Sequence, residues 1–440
     1  MLVDLPAELV LRIVNHDLEV LPRLEIEILE SAEYHVHEPN PSVVEQLAPE
    51  SPRDVTFVLR PKVKHRIAVN YRINGELRDP PLYINVIEDN PYVYGPPIHS
   101  SDSFFGRQAE LEDIVQAVSK PNKQDILLVG ERRTGKSSLL YQVQSRLKPP
   151  FVPVYAVLNE AEANVGAIIK LLCARVIGAL VAQKVLPSEP WNHHECSLMS
   201  LTDNLKSILD AARVTRGDVK VVLLLDEADY ILRVEDRLQN VMRAAFQSRE
   251  VGADVRVVVA GTTDLSAYVS ERSSPFFNHF RFVPLTPLSA EETADLIVRP
   301  AKALAYEYEE VAVARIAEAC GGHPYYCQRI CYEAFTLAVD THQPNVRLPQ
   351  AEAAVRKVVS DADAYNGFVT GFWQPSGPRE PLTRSQKQFL GAVARGKRGA
   401  RLAANSIKRL LDWQLIRQKD DAYEFTCELF REWIKRASGG

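Results

Sequence analysis

Residues 126–137 read Ile-Leu-Leu-Val-Gly-Glu-Arg-Arg-Thr-Gly-Lys-Ser, a short apolar run that breaks into G-x-x-x-x-G-K-S. The pattern demands a buried strand, a tight glycine loop and a helix in that order, and the flanks supply them. Residues 125–129 read as a strand, and 138–147 carry the apolar spacing of a helix whose N-terminus faces an anion. Gly130 and Gly135 let successive backbone N–H groups turn toward a triphosphate, Lys136 reaches the β- and γ-phosphates, and the Ser137 hydroxyl takes a place on Mg²⁺. Arg133, Thr134 and Ser138 complete the nucleotide-binding set. The rival reading is a glycine-rich turn that binds nothing.

A site of this kind needs a second strand ending in an acid, and Val-Val-Leu-Leu-Leu-Asp-Glu at 221–227 provides it. Five unbroken apolar residues place Asp226 and Glu227 at the carboxyl edge of a sheet, where open α/β folds bind ligands. Asp226 is read as holding Mg²⁺ through water, and Glu227 as the base that orients the attacking water, so the pair points to hydrolysis. The bland alternative is two acids capping a strand in solvent. A third strand, 255–260, ends in Gly261-Thr262-Thr263. A polar residue at that tip senses the γ-phosphate and holds the lytic water, which makes Thr262 or Thr263 the candidate, with Thr262 taken first. Its alternative is a helix N-cap.

The chain has 440 residues and a net charge of −5, too long for one core and not globally basic. Charge is uneven, with nine Lys and Arg against sixteen Asp and Glu in residues 1–100, and thirteen against six in residues 382–440. No apolar run is read as approaching the eighteen or so residues that span a bilayer, and the first residues lack a cleavable leader, so the expectation is a cytoplasmic protein without membrane contact. Six scattered cysteines do not form a disulfide framework. Cys320, His323, Cys327 and Cys331 have zinc-like spacing, but a helix over 325–335 makes Cys327 and Cys331 small core residues. His193, His194 and Cys196 form a looser set in a loop.

Five segments organise the chain. Residues 1–88 read as an all-β, sandwich-like domain with about five strands (8–15, 24–29, 55–59, 67–71 and 82–87), expected to engage a protein partner. Residues 89–103 are a Pro-rich linker beside the nucleotide base. Residues 104–288 alternate strand and helix, which means a parallel sheet with crossover helices. Residues 289–380 are Ala- and Glu-rich helices opened by a Ser289–Glu292 capping box, and Arg299, Lys302 and Arg329 there are possible phosphate cations or merely solvated charges. Residues 381–440 read as a winged helix, with helices over 383–393 and 403–411, wing strands 415–417 and 423–425, and a last helix. Its positive charge fits DNA, while Asp420 and Asp421 at the wing tip oppose it.

The ordered set Asn90-Pro91-Tyr92, Gly95-Pro96-Pro97, Phe104-Phe105-Gly106-Arg107 with Glu110-Leu111, Gly130–Ser137, Leu224-Leu225-Asp226-Glu227 and Gly321-Gly322-His323-Pro324-Tyr325 resembles the STAND-type ATPases of bacteria, relatives of the origin-initiator and archaeal AAA+ ATPases. The resemblance covers about residues 90–437. It implies a P-loop core sheet of order 5-1-4-3-2, a helical lid, a winged helix, and a nucleotide-controlled switch that oligomerises or relays a signal in regulation or defence. It places Phe105, Gly106 and Arg107 beside the base and brings His323 and Pro324 to the nucleotide. Two departures stand out: Arg272 and Arg281 compete for the arginine-finger position, and Tyr325 stands where initiator-type relatives carry a sensing Arg. A helicase would need a second lobe, and a kinase would not need Glu227. The reading is therefore a slow ATPase using ATP and Mg²⁺ as a signalling switch. The rival is a DNA-binding ATPase of the initiator or transposition-regulator kind.

Overall fold

The computed structural model describes residues 6–17, 19–63, 66–85, 90–122, 124–187, 200–341, 343, 345–365, 368–374, 381–397, 400–420 and 422–437. His193, His194, Cys196 and Asp421 lie outside these described residues. Two compact units emerge, one built from Met1–Tyr92, Val298–Ala312 and Ala334–Gln350, the other from Val93–Ile297, Val313–Glu333 and Ala351–Gly440.

The first unit opens with nine short strands: β1 (Ala7–Ile13), β2 (Leu21–Ile28), β3 (Tyr34–His37), β4 (Ser42–Leu47), β5 (Arg53–Pro61), β6 (Arg66–Val69), β7 (Tyr71–Ile73), β8 (Glu76–Leu77) and β9 (Leu82–Asn85). They form three antiparallel sheets of order β1-β5-β3, β4-β2-β7-β8 and β6-β9. Alternation drives their burial: in β5 Val55, Phe57 and Leu59 point inward, where they meet Ile26, Ile28, Tyr34 and Ile67 in one core. Asn74 and Gly75, both at positive φ, make the two-residue turn between β7 and β8. Among the described residues the expected five strands become nine because β3, β4, β7 and β8 are short or only half apolar, and so carry little periodic signal. Asn90 and Tyr92, expected in the linker, are anchored in this unit. The Asn90 amide donates to Thr336 Oγ1 at 3.0 Å, and the buried Tyr92 ring packs edge-on against Phe335 and Tyr308.

The second unit is built on a five-stranded parallel sheet. In chain order its elements are α1 (Gln108–Ser119), β10 (Ile126–Val129), α2 (Lys136–Arg146), β11 (Phe151–Val157), α3 (Val165–Ala182), α4 (Leu201–Thr215), β12 (Lys220–Asp226), α5 (Asp236–Gln247), β13 (Val255–Gly261), α6 (Thr263–Ser270) and β14 (Arg281–Pro284). The strands run β11-β12-β13-β10-β14, which is the implied order 5-1-4-3-2 read from the other edge. Alternate residues feed two cores. Leu127, Val154, Leu223 and Val257 face one side with α3, α4 and α5, while Ile126, Leu128, Leu224 and Val258 face α1 and α2 on the other.

One expectation about apolar runs needs correction. Helix α3 has 18 residues and a mean hydropathy of 2.1, long and apolar enough by composition to cross a membrane. It carries Lys170 and Arg175, and Ile168, Ile169, Leu172, Val176 and Leu180 are buried in the core against the sheet, which accounts for its hydrophobicity.

Next along the chain come α7 (Ala290–Lys302), α8 (Glu310–Cys320), α9 (Pro324–Asp340) and α10 (Leu348–Ser360). The lid segment is not purely helical: β15 (Glu307–Tyr308) and β16 (Asn345–Val346) pair in parallel within the first unit. The Ser289–Glu292 capping box forms in both directions, at 3.2 and 2.9 Å. Cys320, Cys327 and Cys331 are buried along α8 and α9; the hydrogen bond with Cys327 and burial raise the Cys320 thiol well above its ordinary range, while Cys327, lowered by its bond with Cys320, is raised on balance by Cys331 and burial. Among the described residues no group of three or more His, Cys, Asp or Glu is placed to hold a metal ion. The chain closes with α11 (Arg384–Ala394), capped by Thr383 and Gln386, α12 (Ala404–Asp412), the hairpin β17 (Ile416–Lys419) and β18 (Ala422–Phe425), and α13 (Glu428–Ala437).

Candidate functional site

Sheet order assembles the site. β13 lies between β10 and β12, so the loop after β10, the threonines after β13 and the acids ending β12 stand in a row along the carboxyl edge. Parallel strands followed by helices on both faces leave their functional loops at that edge.

Gly135 has φ 95° and caps α2, and open space surrounds the place a Cβ would take. A Cβ on Gly130 would stand 2.7 Å from Thr134 Oγ1, so both glycines are needed for the loop to close. Thr134 Oγ1 donates to the Glu131 carbonyl at 2.8 Å, and Lys136 Nζ donates to the carbonyls of Gly130 and Glu131 at 2.8 and 3.0 Å. Ser138 Oγ accepts the Ile98 N–H at 2.9 Å, so it ties the linker to α2. Asp226 is 2% exposed. Glu227 follows it at φ 51°, exposed on the cavity wall.

Thr262 is both a cavity residue and the N-cap of α6. Its hydroxyl donates to Asp229 Oδ1 at 2.6 Å, and its N–H donates to Asp229 Oδ2 at 2.9 Å. Thr263 donates to Glu131 Oε1 at 2.7 Å. Asp229 and Glu131 are thus site residues that the motifs alone did not single out.

A cavity of about 1000 Å³ joins these groups, at the upper end of the ~300–1000 Å³ typical of small-molecule sites. The linker from Val93 to Ile98, Phe105, the loop from Glu131 to Ser138, His323 and Pro324, and the C-terminal residues Trp413, Leu415 and Phe430 all wall it. Gly106, at φ 76°, packs under Leu288. Arg107 is buried; its backbone N–H donates to Glu292 at 2.7 Å and its guanidinium to Glu110 and the Thr286 carbonyl, fixing the start of α1 to that of α7.

His323 begins the turn into α9. Burial, with Arg133 and Arg107 nearby, pushes its pKa down to about 3. The unfolded chain takes up a proton near pH 6.5 that the folded chain refuses, so this contribution to stability is present above pH 6.5 and lost as pH falls toward 3. Denaturant titrations from pH 7 to 5 are expected to lose up to about 1.4 kcal/mol per pH unit below 6.5 from this group, and His323→Gln to flatten that slope.

The lid turn is clamped. Gly321 and Gly322 have φ 57° and 74°, and an added Cβ would fall on the Thr426 carbonyl at the first and on the Leu288 carbonyl at the second. Gly322 O accepts the Leu288 N–H at 2.8 Å, and Cys427 Sγ donates to Ala319 O at 3.4 Å. Gly321→Ala is therefore expected to cost about 2–4 kcal/mol, read as a lowered urea midpoint with an unchanged m-value.

Tyr325 lies beneath the P-loop: the Arg133 guanidinium sits 4.0 Å over its ring. Its phenol accepts from Arg329 at 2.8 Å, and Arg329 also pairs with Asp361 and stacks on Tyr94. Arg329 is thus engaged within the lid, while Arg299 and Lys302 belong to the first unit. Arg281 begins β14 at the opposite edge of the sheet, paired with Asp113 at 2.8 Å, whereas Arg272 is exposed after α6.

The residues present fit a magnesium nucleotide. The glycine cradle is open, Ser137 and Asp226 supply the hard oxygen donors such a cation takes, and two cavity residues, Arg107 and His323, each keep a buried nitrogen (Nε and Nδ1) without a hydrogen-bond partner.

The AAA-like domain family matches residues 94–436. No curated protein matches the chain. Among solved structures, a Walker-type ATPase of Pyrococcus abyssi superposes with a TM-score of 0.56 at 15% identity, covering 77% of this chain and 98% of its own. The ORC2 protein of Aeropyrum pernix, solved as ADPNP–ADP complexes, gives 0.50 at 13% identity, covering 80% and 98%. At these identities the likeness establishes the fold. With a family match spanning the linker, the P-loop core, the lid turn and the C-terminal helices, the chain belongs to the AAA-like domain family.

Proposed function

We propose that this chain binds ATP with Mg²⁺, hydrolyses it slowly, and uses the cycle as a STAND-type switch in signalling, regulation or defence. The observation that carries the reading is the composition of the cavity wall. Linker, P-loop core, lid turn and C-terminal module all contribute to it, so a nucleotide there touches every part that would have to move. Glu227 orients and deprotonates water, Lys136 neutralises phosphate charge, and Ser137 and Asp226 hold the cation, which when bound offsets charge on the phosphates. The C-terminal helices and hairpin act as a winged helix that responds to the nucleotide, and the N-terminal strands engage a partner protein.

The DNA-binding reading has weaker support. Arg417 and Lys419 on the hairpin are both paired with Glu424, and the Arg409 guanidinium of α12 lies over the Trp413 ring at 4.3 Å. Size measurement of the Glu227→Gln protein with and without ATP tests the switch, which requires an ATP-dependent change in hydrodynamic radius or assembly. Binding of duplex DNA that weakens steeply with salt, together with no ATP-dependent change in size, would favour the rival.

A further inference from the structure

Tyr155, on β11, belongs to no nucleotide-binding motif, yet it makes the closest side-chain contact to the acid that ends the neighbouring strand. Its phenol donates to Asp226 Oδ2 at 2.7 Å, while Asp226 Oδ1 accepts the Glu227 N–H at 2.9 Å. The carboxylate is therefore held from both sides. Two of its roughly four lone-pair sites are used, and the others remain for the water shell of a cation. A phenol is protonated at physiological pH and so donates this bond to the carboxylate.

The phenol is itself held in place. The Tyr155 ring stacks on Tyr141 with centroids 4.5 Å apart and planes 28° from parallel. Tyr141 lies on α2, the helix that the P-loop launches, and is covered by His99 of the linker at 3.8 Å. Gln142, the next residue on α2, donates to the His99 carbonyl at 3.1 Å and fixes that segment. Helix, strand and linker thus converge on one oxygen of Asp226.

We propose that Tyr155 is a positioning residue for the metal-holding acid, orienting the Asp226 carboxylate through its phenolic hydrogen bond and the ring stack beneath it. The proposal rests on the reading of Asp226 as a Mg²⁺ ligand. Outer-shell partners of this kind fix the orientation of the groups that hold a metal, here a carboxylate acting through water, and their loss typically costs 10–100-fold in metal affinity. A merely structural hydrogen bond would affect folding and leave metal affinity alone.

The test is Mn²⁺ binding to the full chain with ADP present, followed by electron paramagnetic resonance, alongside ADP binding in chelator. Tyr155→Phe removes one oxygen and keeps the stack. It is expected to weaken Mn²⁺ about tenfold and to leave metal-free ADP affinity unchanged. Tyr141→Leu leaves the phenol in place, removes the ring under it, and is expected to weaken Mn²⁺ measurably but less than Tyr155→Phe does. It supplies the answer if Tyr155→Phe does not fold. Unchanged or tighter Mn²⁺ binding in the folded variants overturns the proposal. Failure of the wild-type protein to bind Mn²⁺ with ADP would instead overturn the nucleotide reading on which it rests.

Discussion

Glu227→Gln is expected to bind ATP as the wild type does and to lose turnover by about 10²–10⁴-fold, the range over which a positioned general base contributes. The geometry explains why binding survives. Glu227 is exposed at the cavity wall, its backbone N–H bonds Asp226, and its αL conformation turns the chain from β12 into the short helix that follows. Glutamine preserves side-chain size and loses only the basic oxygen. Single-turnover hydrolysis together with equilibrium ATP binding separates the two effects. Turnover within about tenfold of wild type would remove Glu227 as the base. Asp229, which accepts from the Thr262 N–H and hydroxyl on the same cavity wall, would then be the carboxylate to examine next.

Lys136→Ala is expected to weaken ATP by at least about 100-fold. Two charge-assisted hydrogen bonds to phosphate contribute roughly 1.5–3 kcal/mol each, and about 1.4 kcal/mol is tenfold in affinity. The ammonium donates to the carbonyls of Gly130 and Glu131, so the variant loses two bonds within the loop as well as the cation that would meet the phosphates. The readout is thermal: wild-type protein should gain stability with saturating ATP in proportion to RT ln(1 + [L]/Kd), and the variant should gain almost none. A preserved ATP-induced rise in melting temperature would show that the nucleotide binds elsewhere.

The site was legible in sequence where function demands residue types in fixed spacing along one strand and its following loop. Gly130, Gly135, Lys136 and Ser137, and the Asp226-Glu227 pair, were readable for that reason. The Ser289–Glu292 capping box was legible on the same ground, because a helix start is a local hydrogen-bonding problem. Residues whose roles arise across strands were not. Tyr155 reads as one more apolar-strand aromatic until β11 is laid beside β12, and Asp229 reads as one more acid past the strand end until β13 brings Thr262 to it. In the first unit, β3, β4, β7 and β8 escaped notice because two to six half-exposed residues carry little periodicity. Helix α3 was missed for another reason: Lys170 and Arg175 interrupt its apolar residues, so no unbroken run announces its high mean hydropathy.

By itself the amino-acid sequence determined which residue types stand together: a glycine loop, a lysine and serine that open a helix, and two acids at a strand end. Those are consequences of backbone freedom, charge and strand periodicity, all local properties. Tertiary structure decided which distant groups meet those residues. The order β11-β12-β13-β10-β14 places the threonine tip between loop and acids, the lid turn is pinned at Gly321 and Gly322 by carbonyls from Leu288 and Thr426, and the Asp226 carboxylate is aimed by a phenol from the next strand. Such partners are set by the packing of strands and helices against one another, and no spacing along the chain encodes them.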